Sequence, residues 1–165
     1  MSVSERLRLE GRRVLVAPAG GPVGSAVARL AGERGASVAA AAPCNILVAV
    51  VELGPLPPFL ELEPDEWDAS LREHVDGFYE RCRESVPAIA ESGEGTVVAV
   101  VSGTALGLEE AVIGLTRALA RELAELGIRA NAVRAGDAAP EAVAQLALYL
   151  ASSAAGYVTG ATLVA

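Results

Sequence analysis

The sequence predicts an α/β fold: a three-layer α/β/α sandwich built on a mostly parallel sheet of about five or six strands. Three observations predict it. Short apolar runs alternate with stretches whose apolar residues recur every three or four positions, the order that builds strand–helix–strand units. The runs at 14–17 (VLVA), 46–51 (ILVAVV) and 96–101 (TVVAVV) are apolar at nearly every position, so both faces of those strands must be covered. A glycine-rich turn, Ala19-Gly20-Gly21-Pro22, joins the first strand directly to an amphipathic helix.

Each element follows from its residues. Residues 1–11 are a short polar lead-in. After the first strand and turn, Val23, Ala26, Val27, Leu30 and Ala31 recur at helical spacing, and Gly35 is placed to end that helix. Residues 36–42 (ASVAAAA) read as a weak strand, broken by Pro43-Cys44-Asn45 before the strong strand 46–51. Parallel strands normally need a crossover of a dozen residues or more. Either 37–42 and 46–51 pair like a hairpin, or one of them is irregular. A proline-rich loop, 53–62, leaves the carboxyl end of the second strong strand.

Pro64 then opens a long helix, and Glu63, Asp65 and Glu66 suit its positive N-terminus. Trp67, Leu71, Val75, Phe78, Cys82 and Ile89 form its apolar stripe, and Pro87 is expected to kink or shorten its last turn. A turn at 92–95 leads to strand 96–101, which ends at Ser102. A second long helix spans 108–126, with Val112, Leu115, Leu119, Leu123 and Leu126 on one side and Gly127 closing it. A strand at 128–133, a loop at 134–139, a helix at 140–150, a turn at 156–160 and a strand at 161–164 complete a single domain over 1–165.

Composition excludes several classes of function. Apolar residues make up 52% of the 165, which supports a sizeable core, but only 4% are aromatic, so Ala, Val and Leu must pack it. The net charge of −8 argues against nucleic acid or an anionic membrane as partner. All 13 basic residues are arginine, so no lysine-dependent step can run on this chain. Cys44 and Cys82 have no metal or redox spacing and read as free, partly buried thiols of a reducing compartment. The charged N-terminus is not expected to act as a signal peptide, and no apolar run approaches the ~20 residues of a membrane span. The expected location is cytoplasmic. The carboxylates Glu61, Glu63, Asp65 and Glu66 are read as a solvated helix entry, and no metal site is expected.

Nearly the whole chain resembles the short-chain dehydrogenase/reductase family, with its Rossmann-like sheet. The likeness rests on LRLEGRRVLVAPAGGPVGSAVARLAGERGASV, LEPDEWDASLREHVDGFYERCRESVPAIAESGEGTVVAVVS, IGLTRALARELAELGIRANAV and LALYLASSAAGYVTGATLV. The resemblance implies a nucleotide-binding loop of the form T-G-x-x-x-G-x-G. The matching residues run from Ala17 to Gly24, where Gly24 is the motif glycine kept and Gly20 and Gly21 form a degenerate turn between Pro18 and Pro22. No acidic residue or arginine follows SVAAAA to hold a ribose hydroxyl or a 2′-phosphate, and the family's N-N-A-G reads Ala49, Val50, Val51, Glu52. The family's serine matches Ser102, its helix asparagine matches His74, and its lysine falls near Glu109. No tyrosine stands where Tyr-x-x-x-Lys belongs. Against the family pattern, the chain reads as a truncated, degenerate member.

From these matches the sequence reading expects no cofactor, with NAD(P) as the minor alternative. Ser102 and His74 are the candidate catalytic residues, a nucleophile–base pair with Asp76 or Glu109 as orienter. Glu52, Asp76, Tyr79, Glu109 and Arg134 are candidate pocket residues. Two functions compete. One is a non-redox subunit acting through assembly, a homodimer or higher homo-oligomer through helices 64–91 and 108–126, or a heteromer with an active relative. The other is an enzyme that cyclises, dehydrates or isomerises a small apolar metabolite in the vacated cleft. Residual NAD(P)-dependent oxidoreduction comes third.

Overall fold

The computed structural model describes residues 2–103 and 105–165, except for the side chain of Val3. Six strands form one sheet: β1 (Arg13–Ala17), β2 (Ser37–Ala39), β3 (Ile46–Glu52), β4 (Gly95–Ser102), β5 (Ile128–Arg134) and β6 (Thr162–Val164). Their spatial order is β2-β1-β3-β4-β5-β6. Every neighbouring pair is parallel. Among the described residues six α-helices accompany them: α1 (Val3–Arg6), α2 (Gly21–Glu33), α3 (Pro64–Leu71), α4 (Gly77–Glu91), α5 (Leu108–Glu122) and α6 (Pro140–Ala151).

Successive strand residues point to opposite faces, so the unbroken apolar runs feed two separate cores. Val14, Val16, Ile46, Val48, Val50, Val98, Val100 and Val133 pack under α2 and α6. Leu15, Leu47, Ala49, Val51, Val97, Ala99, Val101, Ala130 and Ala132 pack under α4 and α5. The layered architecture expected from the sequence is the one found.

The puzzling junction between 37–42 and 46–51 resolves differently from either alternative. Both segments are strands, and β1 lies between them. Ala39 sits opposite Leu15 and Ile46 opposite Val14, so the chain steps sideways across one strand and hardly retreats along the sheet. Six residues, 40–45, can cover that. The crossing runs over the α4 side, where Cys44 is buried in the second core. Asn45 fastens its end: Oδ1 accepts from the Arg13 N–H at 2.9 Å, and the Asn45 N–H donates to the Arg13 carbonyl at 2.9 Å.

The helix expected over 64–91 is continuous but not uniform. A π turn, Arg72–Asp76, joins α3 to α4. Glu63 and Glu66 form a capping box at its start, with the Glu63 N–H donating to Glu66 Oε2 at 3.1 Å. Pro87 does not shorten the end, since α4 continues through it to Glu91. The stripe read on the second helix also shifts. Leu108, Val112, Ile113, Thr116 and Ala120 are its buried residues, whereas Leu126 is 49% exposed in the 3-10 turn Ala124–Leu126.

Both thiols are free and buried. Burial pushes the Cys82 thiol up to about 12, against the opposing pull of the Arg81 charge. An unfolded thiol gives up its proton near pH 9 while the folded one keeps it, so this contribution to stability is present below pH 9 and lost as pH rises towards 12. Thermal unfolding should therefore show Tm falling more steeply between pH 9 and 10.5 in the wild type than in Cys82→Ala. Equal slopes would refute it.

Candidate functional site

The carboxyl ends of β1, β3, β4 and β5 share one edge of the sheet, and the loops leaving that edge carry the candidate residues. In an open parallel sheet this is where a crevice forms. The first loop is very tight. A Cβ on Gly24 would lie 2.6 Å from the Pro18 carbonyl oxygen and 3.0 Å from the Ala19 carbonyl carbon, so only glycine lets α2 start this close to the strand. Gly20 is the extended N-cap, and Gly21, at φ +73°, is the first helical residue. Pro22 takes the next position, where a proline is tolerated because no helical hydrogen bond is lost. Gly20, Gly21 and Val23 keep N–H groups that the helix ladder does not use; Pro22 has none.

Glu52 ends β3 and reaches back over this turn. A Cβ on Gly21 would lie 3.0 and 3.3 Å from its two carboxylate oxygens. Ser102 ends β4 directly opposite Glu52 in register, half-buried. Its carbonyl accepts from the Leu53 N–H at 2.8 Å. Gly103 then packs so closely on Leu53 that a Cβ there would meet the Leu53 carbonyl oxygen at 2.2 Å. The strand end carrying Glu52 is therefore held against the end of β4. Gly21, Glu52 and Ser102 are brought together as three corners of one edge.

The other candidates are placed differently. Arg134 ends β5 but is engaged by the Glu110 carboxylate of α5. Glu109 Oε2 accepts from the Ala105 N–H at 3.3 Å and so braces the loop before α5. His74, half-buried, and Asp76, exposed, lie on the π turn, which packs against α5. Residues two apart on a helix do not face each other, so Asp76 is poorly placed to orient His74. Among the described residues neither His74 nor Ser102 makes a side-chain hydrogen bond. Tyr79, 54% exposed, lines a groove of about 410 Å³ between α4 and α5 with Phe78, Val86, Pro87, Leu115 and Leu119. Glu63 and Glu66 belong to the capping box, and Glu61 and Asp65 are exposed.

Sequence reasoning missed one feature of this edge. Phe59, Leu62, Pro64, Trp67 and Leu106 surround an apolar hollow of about 390 Å³ formed by the loops after β3 and β4. Phe59 is 76% exposed and Leu60 95%. The signal was available in LGPLPPFLEL, whose apolar residues follow neither a strand nor a helix period and so have no core to enter.

Comparison with known proteins bears on this edge. The family model described as "Enoyl-(Acyl carrier protein) reductase" matches residues 42–139. Galactitol 2-dehydrogenase (L-tagatose-forming) of Cereibacter sphaeroides is 32% identical over 168 aligned positions, covering 78% of this chain and 66% of the relative. This chain thus spans just under two thirds of that enzyme's length. D-threitol dehydrogenase of Mycolicibacterium smegmatis is 28% identical, with 96% and 78% covered. In three dimensions a gluconate 5-dehydrogenase from Burkholderia cenocepacia, in complex with NADP and tartrate, superposes with a TM-score of 0.85 at 21% identity, covering 99% of this chain and 97% of that one.

These matches overturn the reading that no cofactor belongs to the chain. The matched model and the relatives are reductases and dehydrogenases, and the Burkholderia enzyme carries NADP. The physical error lay in the weight given to proline. Pro22 removes one donor at a position where the helix does not need it, while three N–H groups and the close Gly24 packing survive. Among the described residues no helix is long and apolar enough to cross a membrane.

Proposed function

Since the chain belongs to the short-chain dehydrogenase/reductase family, we propose that it is an NAD(P)-binding subunit of the oxidoreductase type that works as part of an assembly in the cytoplasm. The observation that carries this reading is the turn from β1 into α2. A glycine-built helix N-terminus at the carboxyl edge of a parallel sheet suits a dinucleotide pyrophosphate. The N–H groups of Gly20, Gly21 and Val23 would hold it. A bound nicotinamide would supply or accept a hydride. The apolar hollow beside Phe59, Trp67 and Leu106 would favour a substrate or partner segment of apolar character.

What the chain offers for proton transfer is sparse. It has no lysine. Its tyrosines stand apart from the strand ends: Tyr79 in the α4–α5 groove, Tyr149 on α6, and Tyr157 fully exposed before β6. A tyrosine made acidic by a neighbouring lysine cannot form from these residues. This supports a subunit that binds nucleotide and relies on an active relative for turnover, since a copy of itself brings no lysine either. The groove between α4 and α5, lined mainly by apolar side chains with Arg83 and Glu122 beside them, supports the assembly half of the proposal.

Calorimetric titration with NADH and NADPH tests the nucleotide half. Binding of at least one of them with Kd below about 1 mM is expected. Absence of heat and of any change in nicotinamide fluorescence at millimolar nucleotide would refute it.

A further inference from the structure

Glu52 is the residue at this edge whose placement the family reading does not explain. Its two oxygens lie over the first residue of α2, within 3.0 and 3.3 Å of the Gly21 Cβ position. Its backbone is pinned to β4, because the Leu53 N–H donates to the Ser102 carbonyl and Leu53 packs on Gly103. Among the described residues no arginine pairs with it, and it makes no side-chain hydrogen bond. The nearest compensation for its charge is the positive end of α2, with the free N–H groups of Gly20, Gly21 and Val23. A pyrophosphate needs that same end and brings two negative charges to it.

We propose that Glu52 is a built-in competitor for the dinucleotide pyrophosphate, a carboxylate that covers the N-terminus of α2 and sets nucleotide affinity low. The inference rests on the NAD(P)-binding reading above. The side chain is exposed, so it can swing aside, and binding is weakened rather than forbidden. Two like charges cannot share one short helix end without mutual repulsion, and the occupant already tethered to the chain holds the advantage. A neutral or shorter residue at 52 would free the donors without disturbing a core, since the side chain contributes to none.

The test is titration of wild type, Glu52→Gln and Glu52→Ala with NADH, NADPH and adenosine, the last having no phosphate. Both variants should bind the dinucleotides at least tenfold more tightly than wild type, with adenosine affinity unchanged. Dinucleotide affinity that is the same or weaker in both variants, with wild type binding, overturns the role of Glu52 alone. An equal gain for adenosine overturns it too, because the effect would then not lie at the pyrophosphate. If no protein binds any dinucleotide at millimolar concentration, this proposal and the nucleotide reading fall together.

Discussion

Phe78→Ala should destabilise the fold by about 3–5 kcal/mol, the usual range for an aromatic deleted from a packed core. Phe78 heads the fully buried side chains of the described residues by size, with no measurable exposure. It sits in the first turn of α4 and shares a core with Leu47, Ala49, Val97, Ala99 and Val101. Those neighbours are small or β-branched and fixed on central strands, so they cannot move in to fill the space. The chain has only two phenylalanines and one tryptophan, leaving little aromatic surface to repack. Phe59→Ala is the matched control: that ring is 76% exposed, so a change within about 0.5 kcal/mol is expected. Denaturant unfolding should show a large fall in midpoint for Phe78→Ala at unchanged slope. A loss below about 1 kcal/mol would mean that the ring is not tightly packed between α4 and the sheet. The substitution also reaches the site, because α4 carries the π turn and His74 against α5.

The sequence reveals the central layer best, because β3 and β4 are buried on both faces and so read as solid apolar runs. It reveals β2 poorly. Ser37–Ala39 is a three-residue edge strand, exposed or half-exposed throughout, and carries no periodic signal. The crossing at 40–45 was illegible for another reason: its length makes sense only once β1 is known to lie beneath it. The π turn was hidden because Leu71, Val75 and Phe78 keep ordinary helical spacing across it. At the site, Gly20, Gly21, Gly24 and Ser102 could be placed by counting to strand ends. The approach of Glu52 to Gly21, and the pairing of Glu110 with Arg134, depend on strand order and could not. Judging the glycine turn by motif alone led to the wrong cofactor expectation. What matters physically is which N–H groups point outward, and a proline at the second helical position removes only one.

The other large effect is expected at the groove between α4 and α5. Wild type should elute as a dimer of the 16.8 kDa chain, and the double substitution Leu115→Glu with Leu119→Glu should convert it to monomer. Both leucines line the groove while only partly covered by their own core, so each presents an apolar side outward. The groove adjoins Val86 and Pro87 on α4, and Glu122 is its nearest acidic member on α5. In a two-fold dimer every substitution appears twice, so four new carboxylates would join two copies of Glu122 against only two copies of Arg83, too few to pair them all. Burying an unpaired charge costs several kcal/mol, which raises the dimer dissociation constant by roughly a hundredfold or more. The monomer should keep its fold, since both positions are only partly buried at the margin of the sheet-facing core, and circular dichroism should be unchanged. Size-exclusion chromatography with light scattering at micromolar concentration decides the matter. A wild-type monomer would remove the assembly from the proposed function. A double variant that stays dimeric would move the interface elsewhere, with the exposed β6 edge and Tyr157 the next surface to test.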